Sequence, residues 1–142
     1  MAKGFTAEAA ITIAATGERV WDALTNPALI KQYLFGTEVS PEWKVGSSIT
    51  YQGEWQGKSY EDKGRILELV PQKRLVSTYW SSMSGLPDLP QNYSTVVWEI
   101  ERSKGRTRLS LSQDNNPTKE SAEHARRNWE MVLGKIKEIL EG

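Results

Sequence analysis

The sequence predicts an α+β protein in which one curved antiparallel sheet wraps around a long C-terminal helix. Alternating apolar residues mark short strands joined by hairpin turns, two short helices follow the first strand, and the last stretch of the chain is amphipathic. Sequential hairpins favour an antiparallel sheet, because parallel strands need long crossover connections. In a chain of 142 residues without repeats or linkers, we expect one domain, residues 1–142.

The first elements are a strand and two short helices. Residues 7–14 alternate between inward and outward side chains, which predicts a strand. Thr16 is positioned to cap a short helix. Asn26-Pro27 begins a second one, because Asn is a favourable cap and Pro suits the first helical position.

Further strands fill the middle of the chain. Their predicted bounds are Thr37–Val39, Ser47–Gln52, Ser59–Val70, Leu75–Trp80, Tyr93–Arg102 and Thr107–Gln113. Gln56-Gly57 and Lys104-Gly105 are typical of hairpin turns. Gly64 predicts a bulge or a bend within the longest strand. Ser81–Asn92 contains two prolines and no periodicity, and is predicted to be irregular.

The stretch from Thr118 to Glu141 predicts the long helix. Apolar or small residues recur at helical spacing, at Ala122, Ala125, Trp129, Val132, Leu133, Ile136, Ile139 and Leu140. Thr118 or Ser121 can cap its start. Such a stripe needs a broad apolar surface, which we expect the strands between Ile49 and Leu111 to supply.

Composition excludes several classes of function. The 18 basic and 18 acidic residues balance, so no nucleic-acid partner is expected. No apolar run is long enough for a signal peptide or a membrane span, and we expect a cytosolic monomer. There is no cysteine, and His124 is the single histidine, beside an inward position near the start of the last helix. We therefore predict no metal site, no cofactor and no catalytic residue.

Aromatic residues are the remaining candidates for a site. The chain has six tryptophans and five tyrosines but only two phenylalanines. Strand parity and the helical stripe direct several of them to the space between sheet and helix, where they either pack as core or leave a pocket. Met83 and Leu86 are candidates for its gate. The predicted ligand-binding residues are Tyr51, Tyr60, Trp80, Met83, Leu86, Trp98, Leu111, Trp129 and Leu133.

Several local strings resemble the START/Bet v 1-like superfamily, and within it the group named after the C-terminal domain of the activator of Hsp90 ATPase. The strings are ERVWDALTNP at 18–27, LIKQY at 29–33, KVG at 44–46, GRILEL at 64–69, RLV at 74–76, TYW at 78–80 and NW at 128–129. The resemblance covers nearly the whole chain and implies a helix-grip fold, often with a cavity between sheet and helix. Tyr33-Leu34 stand where many relatives place tryptophan, which would alter the lip of that cavity.

The resemblance and the aromatic residues favour a protein that binds a small hydrophobic or aromatic molecule. Two alternatives stay open. One is a chaperone-linked interaction module, although the sequence leaves no room for the separate N-terminal domain of the co-chaperones that name the family. The other is an enzyme of the cyclase or aromatase type, which would require an ionisable group inside the pocket.

Overall fold

A computed structural model of the protein describes residues 4–34, 38–39, 43–55, 57–82 and 85–142. Its elements in chain order are β1 (Phe5–Ile13), α1 (Gly17–Thr25), α2 (Pro27–Tyr33), β2 (Glu38–Val39), β3 (Ser48–Trp55), β4 (Lys58–Val70), β5 (Arg74–Ser81), β6 (Ser94–Ser103), β7 (Arg106–Asn116) and α3 (Lys119–Glu141). A single 3-10 turn, Pro90–Asn92, lies in the segment that was predicted to be irregular. The predicted order of elements is confirmed.

The strands form one sheet in the order β1-β7-β6-β5-β4-β3-β2, and all the neighbouring strands are antiparallel. The long helix packs on this sheet, and the two short helices follow β1. The architecture is the helix-grip α+β fold that the sequence predicted. No helix in the described part of the chain combines the length and the hydrophobicity that a membrane span requires.

The two short helices share a single residue as their junction. Thr16 caps α1, because its hydroxyl oxygen accepts a hydrogen bond from the Arg19 backbone N–H at 3.2 Å. Asn26 ends α1 and also begins α2, where its Oδ1 accepts from the Ala28 N–H at 3.0 Å. Both caps were predicted, and they leave almost no linker between the helices.

Helix α3 begins with a capping box formed by Thr118 and Ser121, each of whose side chains accepts the other's backbone N–H at 3.0 Å. Its predicted apolar stripe is the buried face, with Val132, Leu133 and Ile136 in the core. The helix lies mainly over β1 and β7. The strands from Ile49 to Leu111 share one hydrophobic core with the buried face of the helix, as expected, but the expectation omitted β1, which the helix also approaches closely.

Polar contacts fix the end of α3 against the N-terminal strand. The Lys137 ammonium donates to the Thr12 carbonyl at 2.9 Å, and Glu141 accepts from the Ala14 backbone N–H at 2.8 Å. Arg19 of α1 donates to the Leu140 carbonyl at 2.7 Å. These contacts hold the helix toward the β1 side of the sheet. Other elements therefore cover the concave face of the sheet over β3 to β5.

Gly64 marks a close approach between β4 and β5. A Cβ at this position would lie 1.7 Å from the Thr78 carbonyl oxygen. The register of the two strands shifts between Ile66 and Glu68, a few residues farther along. The irregularity predicted from Gly64 thus lies a few residues beyond it. The glycine itself is needed because the backbones of β4 and β5 approach too closely here for a Cβ.

Replacing Gly64 by alanine should destabilise the protein by about 3 kcal/mol, because the new methyl group cannot fit beside a backbone atom. Gly134, inside α3, is the matched control, since a Cβ there meets no atom within 4 Å. Gly134→Ala should stabilise the protein by about 0.5–1 kcal/mol through its helix propensity. Urea unfolding measures both values, and a Gly64→Ala variant as stable as wild type would contradict this description of the β4–β5 pair.

Candidate functional site

An open cavity of about 310 Å³ lies on the concave face of the sheet. Aromatic side chains form the largest group in its wall: Tyr33, Trp43, Tyr51, Tyr60, Tyr79, Trp98 and Trp129. Aliphatic side chains add Leu24, Ile30, Leu34, Ile49, Leu75 and Val96. The polar members are Glu54, Asp62 and Ser77. The cavity is therefore mostly apolar, with a small number of polar groups.

Neighbouring strands build the floor of the cavity. Tyr51 of β3, Asp62 of β4, Tyr79 of β5 and Trp98 of β6 come from successive strands of the sheet. The C-terminal part of α2 covers it on one side, and Trp129 extends from α3 on the other. Because α3 lies mainly over β1 and β7, the Trp129 indole reaches the cavity, while the body of the helix does not fill the cavity.

Two aromatic pairs give the wall a fixed shape. Tyr51 and Tyr79 meet edge to face with ring centroids 6.0 Å apart, and Trp98 and Trp129 do so at 5.7 Å. The Trp129 indole N–H also donates to the Gln113 side-chain oxygen at 2.6 Å. These contacts hold the rings in defined positions along the wall.

Asp62 is a buried acid in this apolar wall, with only 9% of its surface exposed. Its Oδ2 accepts a hydrogen bond from the Tyr79 hydroxyl at 2.6 Å. Its Oδ1 is buried and has no hydrogen-bond partner among the residues that the structure describes. A buried acceptor that is left unsatisfied costs about 1–3 kcal/mol, so this oxygen requires an explanation.

The tyrosines around Asp62 are held in the neutral form. Burial raises the pKa of Tyr33 and of Tyr51 far above the ordinary 10.0. The neighbouring Tyr51 raises the pKa of Tyr33 further, and the charge of Asp62 raises the pKa of Tyr51 further. Burial also raises the pKa of Tyr79, and the charge of Asp62 and its hydrogen bond add to the effect. These hydroxyl groups therefore stay protonated to a higher pH than the hydroxyl of an exposed tyrosine.

The structure brings together four of the nine residues that the sequence singled out. Tyr51, Tyr60, Trp98 and Trp129 all line the cavity. Tyr60 also packs across the β3–β4 hairpin over its strand partner Gly53, where a Cβ would lie 2.7 Å from the tyrosine hydroxyl. The role of the four in ligand binding stays a prediction.

Four of the others lie elsewhere, and Met83 falls outside the described residues. Trp80 does not share the inward face, since it stacks on Tyr93 and its indole N–H donates to the Leu86 carbonyl at 3.2 Å. The Leu86 side chain is 46% exposed and does not line the cavity. Leu111 and Leu133 are buried in the core and also do not line it.

Sequence reasoning missed Asp62 and Tyr79 as members of the site. The signal for Asp62 is strand parity, because it lies two residues from Tyr60 on the same face of the strand. Tyr79 was overlooked in favour of Trp80. Tyr33 and Leu34, expected at the lip from the family resemblance, do line the cavity.

The arrangement offers binding chemistry rather than metal chemistry. Among the described residues, no group of three or more His, Cys, Asp or Glu side chains could hold a metal ion. His124 is exposed on α3. The cavity itself offers an acid, a tyrosine donor and aromatic surface, which can orient a small molecule by one polar contact.

A family model described as "Activator of Hsp90 ATPase homolog 1-like protein" matches residues 14–141. The chain belongs to this family. The match spans all the elements from α1 to α3, together with the cavity residues. Among curated proteins, none matches this chain.

Solved structures of similar proteins have the same fold. ChR145 from Cytophaga hutchinsonii is 42% identical, and the alignment covers 99% of this chain and 97% of that one with a TM-score of 0.86. The Aha1 dimer from Colwellia psychrerythraea is similar at 19% identity, with 96% of each chain covered and a TM-score of 0.75. DynU16, a protein of the dynemicin biosynthetic locus, is 17% identical with a TM-score of 0.79, over 96% of this chain and 47% of that one.

The neutral tyrosines predict a steep loss of stability in alkali. The pKa of Tyr33 is raised above its unfolded value, so its contribution is complete below pH 10 and decreases as the pH rises above that value. Each such tyrosine adds about 1.4 kcal/mol per pH unit to the slope. Tyr33→Phe should therefore reduce the pH dependence of the unfolding free energy by about this amount between pH 10 and 11.5. Urea unfolding across this range measures the slope, and an unchanged slope would contradict the burial of the hydroxyl.

Proposed function

We propose that this protein binds a small hydrophobic or aromatic molecule in the cavity between the sheet and the C-terminal helix. The observation that supports this best is the combination of open volume and fixed aromatic walls. Ligand pockets are typically about 300–1,000 Å³ and mostly apolar with few polar groups. The cavity, at about 310 Å³, lies at the lower end of this range. Compounds of a few rings therefore suit it better than long-chain lipids.

Plain core packing is the competing explanation for the aromatic residues. In a core, side chains interdigitate at high density and leave few voids larger than a water molecule. Here the rings pair with one another along the wall and leave the space between them open. An acid in that wall also suits a site better than a core, since cores rarely hold an incompletely bonded carboxylate.

Cyclase-type chemistry on the bound molecule is a second candidate. Asp62 and Tyr79 supply the ionisable group inside the cavity that an enzyme would need. DynU16, from a biosynthetic locus, has a similar fold, but at 17% identity this likeness supports the fold and not the enzymatic candidate. Mass spectrometry of a polyketide-like compound incubated with the protein distinguishes turnover from binding, because only an enzyme yields a product of altered structure.

Interaction with a chaperone is the other candidate, and it follows from the family description. The Aha1 relative is a dimer, whereas the sequence led us to expect a cytosolic monomer here. Addition of the protein to a cognate Hsp90 would change its ATPase rate if this candidate is correct. An unchanged rate together with no pull-down would remove it.

A compound screen tests the proposed function. We expect at least one compound from a panel of fatty acids, sterols and flavonoid-like molecules to bind at sub-millimolar concentration. Binding should shift the indole N–H signals of Trp98 and Trp129 in the NMR spectrum, because both rings line the cavity. The signal of Trp80 is the internal control, since that ring stacks on Tyr93 outside the cavity.

A pair of variants locates the binding site. Val96→Phe places a large ring in the cavity and should weaken binding at least about tenfold, whereas Val97→Phe on the opposite face of β6 should change it less than about twofold. If no panel compound perturbs Trp98 or Trp129, or if both variants bind equally well, the proposed function is wrong.

A further inference from the structure

We propose that the ligand of the cavity carries a protonated amine, which pairs with the carboxylate of Asp62 while the apolar body of the molecule lies against the surrounding rings. This inference rests on the proposed function and adds the chemical class of the ligand. It depends on three features of the described residues: a buried acid with one unsatisfied oxygen, the sign of charge in the wall, and the aromatic surface beside the acid.

The first feature is the buried oxygen itself. Asp62 is 9% exposed and lines the cavity, and its Oδ1 lacks a hydrogen-bond donor among the residues that the structure describes. The Tyr79 hydroxyl already donates to Oδ2 at 2.6 Å. This bond orients the carboxylate, which has one unsatisfied oxygen and no cation beside it in the described part of the wall.

The second feature is the sign of the charge. Asp62 and the more exposed Glu54 are the charged side chains in the wall, and both are acidic. No lysine or arginine from the described part of the chain lines the cavity. In a site of low dielectric, two acids without a counter-charge favour a cation and disfavour an anion.

The third feature is the aromatic surface around the acid. Tyr79 donates to Asp62 and also meets Tyr51 edge to face, so two rings lie close to the carboxylate. Ring faces attract ammonium groups, and the attraction grows when water is excluded. An amine at Asp62 would thus gain a charge-assisted hydrogen bond and contact with aromatic rings at the same time.

These features separate the possible ligands of the cavity. A fatty acid would bring its carboxylate into a wall that already carries two acids, and a hydrocarbon would leave Asp62 without a counter-charge. An arylalkylamine meets both requirements, since its ring fits the apolar wall and its ammonium group supplies the donor. A phenol or an amide would supply a donor without the charge, and is expected to bind with intermediate affinity.

A matched series of three compounds tests the inference: naphthylethylamine, propylnaphthalene and naphthylpropanoate, which differ chiefly in the charge at the end of the chain. Isothermal titration calorimetry or NMR titration at pH 7 gives their affinities. We expect the amine to bind about 10- to 100-fold more tightly than the neutral compound, as one charge-assisted hydrogen bond provides, and the carboxylate to bind most weakly.

Asp62→Asn should lower the affinity for the amine about tenfold or more and leave that for propylnaphthalene within about twofold. Glu61→Gln is the control, because it removes one negative charge from an exposed neighbour on the same strand and should change neither affinity more than about twofold. If Asp62→Asn does not fold, the ratio of the three affinities in the wild-type protein decides whether the inference is correct.

The outcomes distinguish this inference from the proposed function. If the amine and the neutral compound bind equally well, or if Asp62→Asn leaves the preference for the amine intact, the cavity binds apolar molecules but the inference is wrong. If the carboxylate binds best, the inference is also wrong. If none of the three compounds, nor any from the wider panel, binds at sub-millimolar concentration, both the inference and the proposed function are wrong.

Discussion

The position of α3 over β1 and β7 is the constraint on which the rest of the structure depends. The apolar stripe of the helix is buried there, and the contacts of Lys137 and Glu141 with the backbone of residues 12 and 14 fix it on that side. Because one helix is only about 10 Å wide, it cannot cover a sheet of seven strands. The concave face over β3 to β5 must therefore be closed by shorter elements, and the cavity forms where they do not fill it.

The chemistry of that space is more specific than stability requires. Leu or Val at position 62 would satisfy a core, whereas a carboxylate with one unbonded oxygen costs free energy in the folded protein. Tyr79, held neutral by burial, fixes the orientation of the acid. Buried polar groups of this kind are typical of binding and catalytic sites. The same two residues would serve a ligand with a positive charge or a reaction that needs an acid–base pair, and so they connect the binding and enzymatic candidates.

Much of the fold could be predicted from the sequence because its signals are local. The caps at Thr16, Asn26 and Thr118 and the turn at Lys104-Gly105 each follow from the chemistry of one or two residues. The end of β7 could not be predicted in this way. The predicted strand ends at Gln113, but the side chains of Asp114 and Asn116 bond to the backbone of Thr95 and Phe5, and β7 continues to Asn116.

The candidate site was predicted less well, because it depends on strand parity. Between Leu75 and Trp80 of β5 each parity carries one aliphatic, one hydroxyl and one aromatic residue, so LVSTYW could not reveal whether Tyr79 or Trp80 faces inward. The direction is set by the neighbouring strands, which only the folded sheet provides. Asp62 had the correct parity in β4, but acids are usually exposed, and the predicted site included aromatic and apolar residues only.

The central claim is that open apolar space remains between the sheet and α3, and diffraction from a crystal under xenon pressure measures it directly. Apolar cavities bind xenon, whereas space filled by side chains does not. We expect a xenon peak inside the cavity, within contact distance of Trp98 and Trp129. A crystal structure in which the rings of Tyr51, Trp98 and Trp129 meet and exclude xenon would contradict the claim.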